Sequence, residues 1–198
     1  VIYGDTDSLF VRIDKENIQP DSGGKIAQGL NSWWQEKLKK DFQLNSKLEV
    51  EFETHFSPFF MPRIRGSESG SKKRYAGMKC LVNGETELIL KGLESVRSDW
   101  TELAKEFQIQ LFKLMFAGKD SSDYVKAVLA DLRSGKLDHL LIYKKRIRQP
   151  LDSYTKTTPP QIKAARSANK VYGRDVYRKG SRIAYVIGFT GPVAVELN

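Results

Sequence analysis

Within the first ten residues, a Gly4-Asp5-Thr6-Asp7 core lies between apolar arms, Val1-Ile2-Tyr3 before it and Leu9-Phe10 after it, with Ser8 at the join. Apolar runs flanking Gly and Asp predict two short strands joined by a tight turn, because those residue types tolerate the backbone angles a hairpin needs. Acid at the tip of a hairpin must either stay in water or be neutralised. Strand side chains alternate in direction, so Asp5 and Asp7 are expected on one side and Thr6 on the other. Two carboxylates sharing a small volume repel unless a cation lies between them, and a hard, oxygen-seeking ion such as Mg²⁺ suits that position. Asp-x-Asp also occurs in solvated turns whose acids bond their own backbone. The spacing alone leaves both readings open.

The charge of the chain narrows its partners. Net charge is +9, and the segment from Lys144 to Arg182 holds twelve basic residues against two acidic ones, Asp152 and Asp175, a local excess of ten. Such a concentrated positive field suits a polyanion, and nucleic acid ranks before membrane because no basic helix with a broad apolar face is evident there. No apolar run approaches the roughly 18 to 20 residues that span a bilayer, and no signal-peptide pattern opens the chain. The single cysteine, Cys80, excludes an internal disulfide and suits a reducing cytosol. With 198 residues, 40% hydrophobic and 29% charged, the chain can bury one large core or two small ones. Val1 has no methionine before it and already lies inside an apolar arm, which reads as a piece of a longer protein.

Periodicity supplies the element plan. Leu9 to Ile13 continues the second strand, residues 14 to 24 form a loop with Pro20, Gly23 and Gly24, and Ile26, Leu30, Trp33, Trp34 and Leu38 recur at helical spacing with both tryptophans in the core, Trp34 nearer its edge. Leu48 to Glu53 alternates strictly and predicts a strand whose second face carries Glu49, Glu51 and Glu53. Phe56 to Ile64, broken by Pro58 and Pro62, predicts an edge strand, and Asn83-Gly84 predicts a hairpin whose second strand ends at Lys91. From residue 98 the spacing turns helical, with stripes at Leu103, Phe107, Leu111, Leu114 and Met115 and at Val125, Val128, Leu129 and Leu132, capped by Gly118 and Gly135. Pro159-Pro160 opens another helix. A boundary is therefore placed near residue 97, and the fold class expected is α+β: an antiparallel sheet with a packed helix, then a mainly helical region.

Tyr3 to Ser8 spells YGDTDS, which resembles motif C of the family B DNA polymerases. Further blocks follow in that family's order: Lys72-Lys73-Arg74-Tyr75-Ala76-Gly77 is similar to its basic KKRY motif, Lys91 to Asp99 to its KGxExxRRD motif with Ser98 where many members have a second arginine, and Lys144 to Pro150 and Gly180 to Ile187 to segments of its thumb. The wording of these blocks looks most like a bacterial repair and translesion branch. The resemblance spans essentially the whole chain. It implies that residues 1–97 are the C-terminal half of a polymerase palm and residues 98–198 a C-terminally truncated thumb.

The resemblance also implies the site. Asp7 would be the metal ligand from this motif and Asp5 a supporting acid of a two-Mg²⁺ centre; Lys72, Lys73, Arg74, Tyr75, Lys91, Lys144, Lys145 and Arg146 would hold primer–template DNA; Glu51 and Glu53 would add negative potential beside the metals. The facing carboxylate and the nucleotide-binding residues belong to motifs upstream of Val1. The chain alone is therefore expected neither to extend a primer nor to hold Mg²⁺ tightly, while the full protein would bind a deoxynucleoside triphosphate and, through residues beyond the C-terminus, a sliding clamp. Its setting would be the bacterial cytoplasm, at the nucleoid. The alternative is a non-catalytic basic DNA-binding module, disfavoured because such a module has no use for paired acids facing a polyanion. A reverse transcriptase or nuclease would leave KKRYAG and the thumb-like blocks without a role.

Overall fold

The structure, a computed structural model, describes every residue except Lys15, Asn17, Pro20, Ile64, Arg65, Ser67, Glu68, Ser69, Lys72, Val82 and Asn198, and of Asp5 only the backbone. It is α+β, with antiparallel sheets. The chain divides into two compact units, Val1–Lys91 and Gly92–Asn198. The division falls ahead of residue 97 because Gly92–Arg97 is bound to the helix that follows: Gln108 accepts a hydrogen bond from the Ser95 amide (2.8 Å) and donates one to Glu94 (3.2 Å).

In the first unit, strands β1 (Tyr3–Asp5) and β2 (Ser8–Phe10) pair as an antiparallel hairpin with Asp5 opposite Ser8. Helix α1 (Ser22–Phe42) is longer than its apolar stripe predicts. Gly23 and Gly24, read from sequence as loop, lie in its first turn. Gly23 is there for proximity: a Cβ on it would come within 2.2 Å of the Phe52 ring. Trp33 is half exposed whereas Trp34 is the more buried of the pair, the reverse of the expected order.

The predicted strand at Leu48 to Glu53 does not form. They are held to α1 instead at Val50, where the Asn31 amide donates to the Val50 carbonyl (2.9 Å) and accepts from the Val50 N–H (2.8 Å). A helix side chain has taken the place of a neighbouring strand, so alternation leaves Leu48 and Phe52 exposed along with the three glutamates. Strands β3 (Phe56–Phe60), β4 (Tyr75–Cys80) and β5 (Thr86–Lys91) then form an antiparallel sheet in that order, with proline-bearing β3 at an edge as expected. The Asn83-Gly84 turn connects β4 to β5, with Gly84 at φ +83°.

The second unit is less helical than periodicity suggested. Helices α2 (Glu102–Phe116) and α3 (Ser122–Arg133) follow the predicted stripes, and Phe107 stacks on Tyr124 at 5.6 Å. Thr101 caps α2 by accepting the Ala104 N–H. Beyond them, β6 (Tyr143–Arg146), β7 (Arg182–Gly188) and β8 (Gly191–Ala194) form a three-stranded antiparallel sheet covered by α4 (Pro160–Tyr172). The sheet escaped the periodicity argument because β6 and β8 are only four residues long. Ala164, Ala165 and Ala168 bring α4 close to the sheet and bury Ile162, Ile183 and Ile147 between them. Asn169 grips Tyr177 as Asn31 grips Val50, donating to its carbonyl and accepting from its N–H, both at 2.8 Å. Among the described residues no helix is long and apolar enough to cross a membrane.

Ile162 is fully buried in this core. Ile162→Ala is therefore expected to lower the unfolding free energy by about 3 kcal/mol, read by urea denaturation. A loss below about 1 kcal/mol would contradict the packing described.

Candidate functional site

The acidic turn is tighter than strand alternation allows for. With Asp5 opposite Ser8, only Thr6 and Asp7 remain as the connection. Thr6 takes φ +52°, a left-handed conformation that costs a β-branched residue on the order of 1–3 kcal/mol. Asp7 is thus a turn residue with an exposed side chain, and the two-residue period that was expected to align it with Asp5 does not govern it. The Asp5 side chain is outside the described set.

Aromatic side chains fasten the hairpin to the larger sheet. Phe10 on β2 lies 5.5 Å from Tyr3, 5.5 Å from Phe59 and 5.2 Å from Tyr75, and Phe56 completes the cluster. A hydrogen bond reinforces it: the Lys73 amide donates to the Tyr3 hydroxyl at 2.8 Å. Lys73 is exposed and left-handed at φ +62°, so the main chain turns there just before β4 begins. The acidic turn and the Lys73-Arg74-Tyr75 segment therefore belong to one packed arrangement. Lys72 falls outside the described residues. Tyr75 is half-buried in the cluster, and its phenol is held above its usual range by burial first, then by the charge of Glu53 and the nearby Tyr3. Glu53 is thus the acid of the glutamate row that bears on this cluster; Glu51 is exposed, as is Lys91 at the end of β5 opposite Tyr75.

The cations of the second unit divide between two faces. On β6, Lys144 and Arg146 point outward and are exposed, whereas Tyr143 and Lys145 face inward. Lys145 lies 3.7 Å from Asp99, which is also held bidentately by Arg97 at 2.9 and 2.8 Å. Opposite Arg146 in the ladder stands Arg182, also exposed. Like charges directly opposed destabilise a sheet unless something anionic covers them. Arg146, Arg148 and Lys179 line a shallow cleft of about 370 Å³ with Ile147 and Gly180. Arg148, Lys179 and Arg182 were not singled out from sequence, although the alternation of Arg182, Ala184 and Val186 against buried Ile183 and Tyr185 carries the signal for Arg182.

Among the described residues no group of three or more His, Cys, Asp or Glu side chains converges. The exposed Asp7 carboxylate is a hard oxygen donor and matches Mg²⁺ in chemical type.

Comparison with known proteins gives one consistent answer. The sequence profile of DNA polymerase family B matches residues 1–191. The chain is 43% identical to DNA polymerase II of Escherichia coli (strain K12) over 99% of its length, 31% identical to DNA polymerase 2 of Aeropyrum pernix and 29% identical to a DNA polymerase of Archaeoglobus fulgidus, each of these last two over 94%. It spans 26%, 20% and 21% of these relatives respectively.

The Arg97 fork holds the Asp99 carboxyl at about 2, below its ordinary 3.8, with Lys145 contributing further. Between those values the unfolded chain binds the proton more readily than the folded one. The pairing is accordingly expected to support the fold above about pH 4 and to lose that contribution as pH falls toward 2. Comparing acid unfolding of the parent and Asp99→Asn chains checks it: the variant should lack this limb of the pH dependence, and identical limbs would contradict the assignment.

Proposed function

The chain belongs to DNA polymerase family B, and from that premise we propose that it forms the second half of the palm and most of the thumb of a DNA-directed DNA polymerase. Residues 1–97 would be palm and residues 98–198 thumb. The reaction is nucleotidyl transfer: the primer 3′ hydroxyl attacks the α-phosphorus of a deoxynucleoside triphosphate, a new P–O bond forms, and pyrophosphate leaves. The observation that carries this reading is the aromatic docking of an acidic turn onto a basic segment. It supports the reading because carboxylates that would hold a divalent cation and cations that would bind a polyanion then belong to one packed arrangement.

Asp7 would hold Mg²⁺ with Asp5 in support, and the bound ion supplies positive charge where the triphosphate and the attacking oxygen carry negative charge. Glu53 adds negative potential on the side of Tyr75, and Glu51 would extend it beside the metals. Lys72, Lys73, Arg74 and Lys91 would contact phosphates or minor-groove edges beside the turn, with Tyr75 packing beneath the primer end. Lys144 and Arg146, joined by Arg182, Arg148 and Lys179, present the thumb's cationic face to the duplex. Lys145 contributes less to that face, because Asp99 already engages it. The acids of this turn supply one wall of a two-metal site, so the chain alone would bind DNA without extending a primer. In the full polymerase the partners are primer–template, deoxynucleoside triphosphate and a sliding clamp, and the setting is bacterial DNA repair and translesion synthesis.

DNA binding by the chain should fall steeply with salt, each neutralised phosphate contributing about 0.9 to the slope of log K against log salt. Lys144→Ala with Arg146→Ala should lower that slope by about 1.8, whereas Lys145→Ala should change it by less than about 0.9. Fluorescence anisotropy with a primer–template duplex measures both. Affinity indifferent to salt would reject the interface.

In the polymerase carrying this chain, Asp7→Asn should abolish primer extension and leave duplex affinity nearly unchanged, since Asn keeps the size of Asp and loses its charge. Asp5→Asn should impair extension less. Near-normal synthesis by the Asp7→Asn enzyme, in a gel extension assay, would overturn the assignment of Asp7.

A further inference from the structure

Tyr3 stands two residues ahead of Asp5 on β1 and opposite Phe10 in the hairpin ladder. Its ring packs on Phe10 at 5.5 Å, and its hydroxyl accepts the Lys73 N–H at 2.8 Å. These contacts act on different parts of the basic segment. Phe10 meets the Tyr75 ring at 5.2 Å and so anchors the start of β4. The hydroxyl acts further back, on the main chain of Lys73 itself, where φ is +62° and the segment turns into β4.

We infer that Tyr3 is a positioning residue: its hydroxyl sets the offset between the basic Lys73-Arg74 segment and the acidic Asp5-Thr6-Asp7 turn. This rests on the polymerase reading, in which the turn serves the chemistry and the segment grips DNA. Tyr3 itself touches neither reactant. It acts through the Lys73 turn, so its loss should misplace the duplex and leave the acids as they are, and small misplacements of a bound reactant are felt strongly.

The test is Tyr3→Phe in the polymerase carrying this chain, a change that keeps the ring on Phe10 and removes only the acceptor. Steady-state extension of a primer–template is expected to show KM for DNA raised on the order of three- to tenfold, as loss of one hydrogen bond allows, with kcat and its Mg²⁺ dependence unchanged. A second variant isolates the route: Lys73→Gly removes the cation, keeps the N–H and tolerates the left-handed turn. Added to Lys73→Gly, Tyr3→Phe should raise KM by less than it does in the parent, because the cation whose placement it controls is gone. An unchanged KM in Tyr3→Phe, fully additive effects in the pair, or a fall in kcat with altered Mg²⁺ dependence would each overturn the inference. Asp7→Asn assayed alongside separates the two levels. Retained synthesis there means the polymerase reading has failed, whereas lost synthesis together with an unchanged KM in Tyr3→Phe means that only the positioning role has.

Discussion

The first unit depends on the burial of aromatic rings around Phe10. Among the described residues, β1–β2 and β3–β4–β5 are separate sheets with no ladder between them. A two-stranded hairpin is marginal in water by itself and needs an apolar surface to lie on. Tyr3, Phe10, Phe56, Phe59 and Tyr75 provide that surface from three separate stretches of sequence, and aromatic pairs at 5 to 6 Å gain about 0.5–1.5 kcal/mol beyond simple burial. The strained Thr6 turn can persist because its strands are held from behind. The acids owe their location to rings that carry no charge.

In the second unit the ordering agent is a helix of small side chains. Ala164, Ala165 and Ala168 let α4 lie close to β7 and β8, and the tyrosines Tyr143 and Tyr185 stack at 5.3 Å across β6 and β7. This packing makes the outward face of β6 reliable: once Tyr143 and Lys145 are turned in, Lys144 and Arg146 have only one direction left. Tyr177 closes the far side, its phenol pushed up to about 12 by burial and by donating to Glu196 at 2.5 Å. A side chain so reluctant to ionise behaves as a core residue with one fixed polar contact.

Much of this was legible in the residues. The Asn83-Gly84 hairpin, the caps at Gly118 and Gly135, the stripes of α2 and α3 and the proline entry to α4 are local signals, each decided within a few residues, and the structure follows them. What failed needed knowledge of a partner. Alternation at Leu48 to Glu53 describes a segment with two faces without saying whether a strand or a helix will lie beside it. Gly23 reads as a breaker until Phe52 is seen against it. The spacing of Asp5 and Asp7 says nothing about how many residues the turn consumes. At the site, the basic blocks were visible as composition, but which cations face outward depends on the pairing of β6 with β7, and the Tyr3–Lys73 bond joins residues too far apart in sequence for any window to connect.

Asn31 and Asn169 each recognise another part of the chain by its peptide group alone. A carboxamide has the same donor and acceptor as a peptide unit, so each asparagine reads Val50 or Tyr177 through the N–H and C=O that every residue except proline possesses. Such a grip is blind to side-chain identity. At Val50 this matters, because the glutamates on either side are held in place by a contact that does not depend on their being glutamates. The acidic row can therefore change in composition without loosening its hold on α1, and its charge is left available to whatever lies beside it.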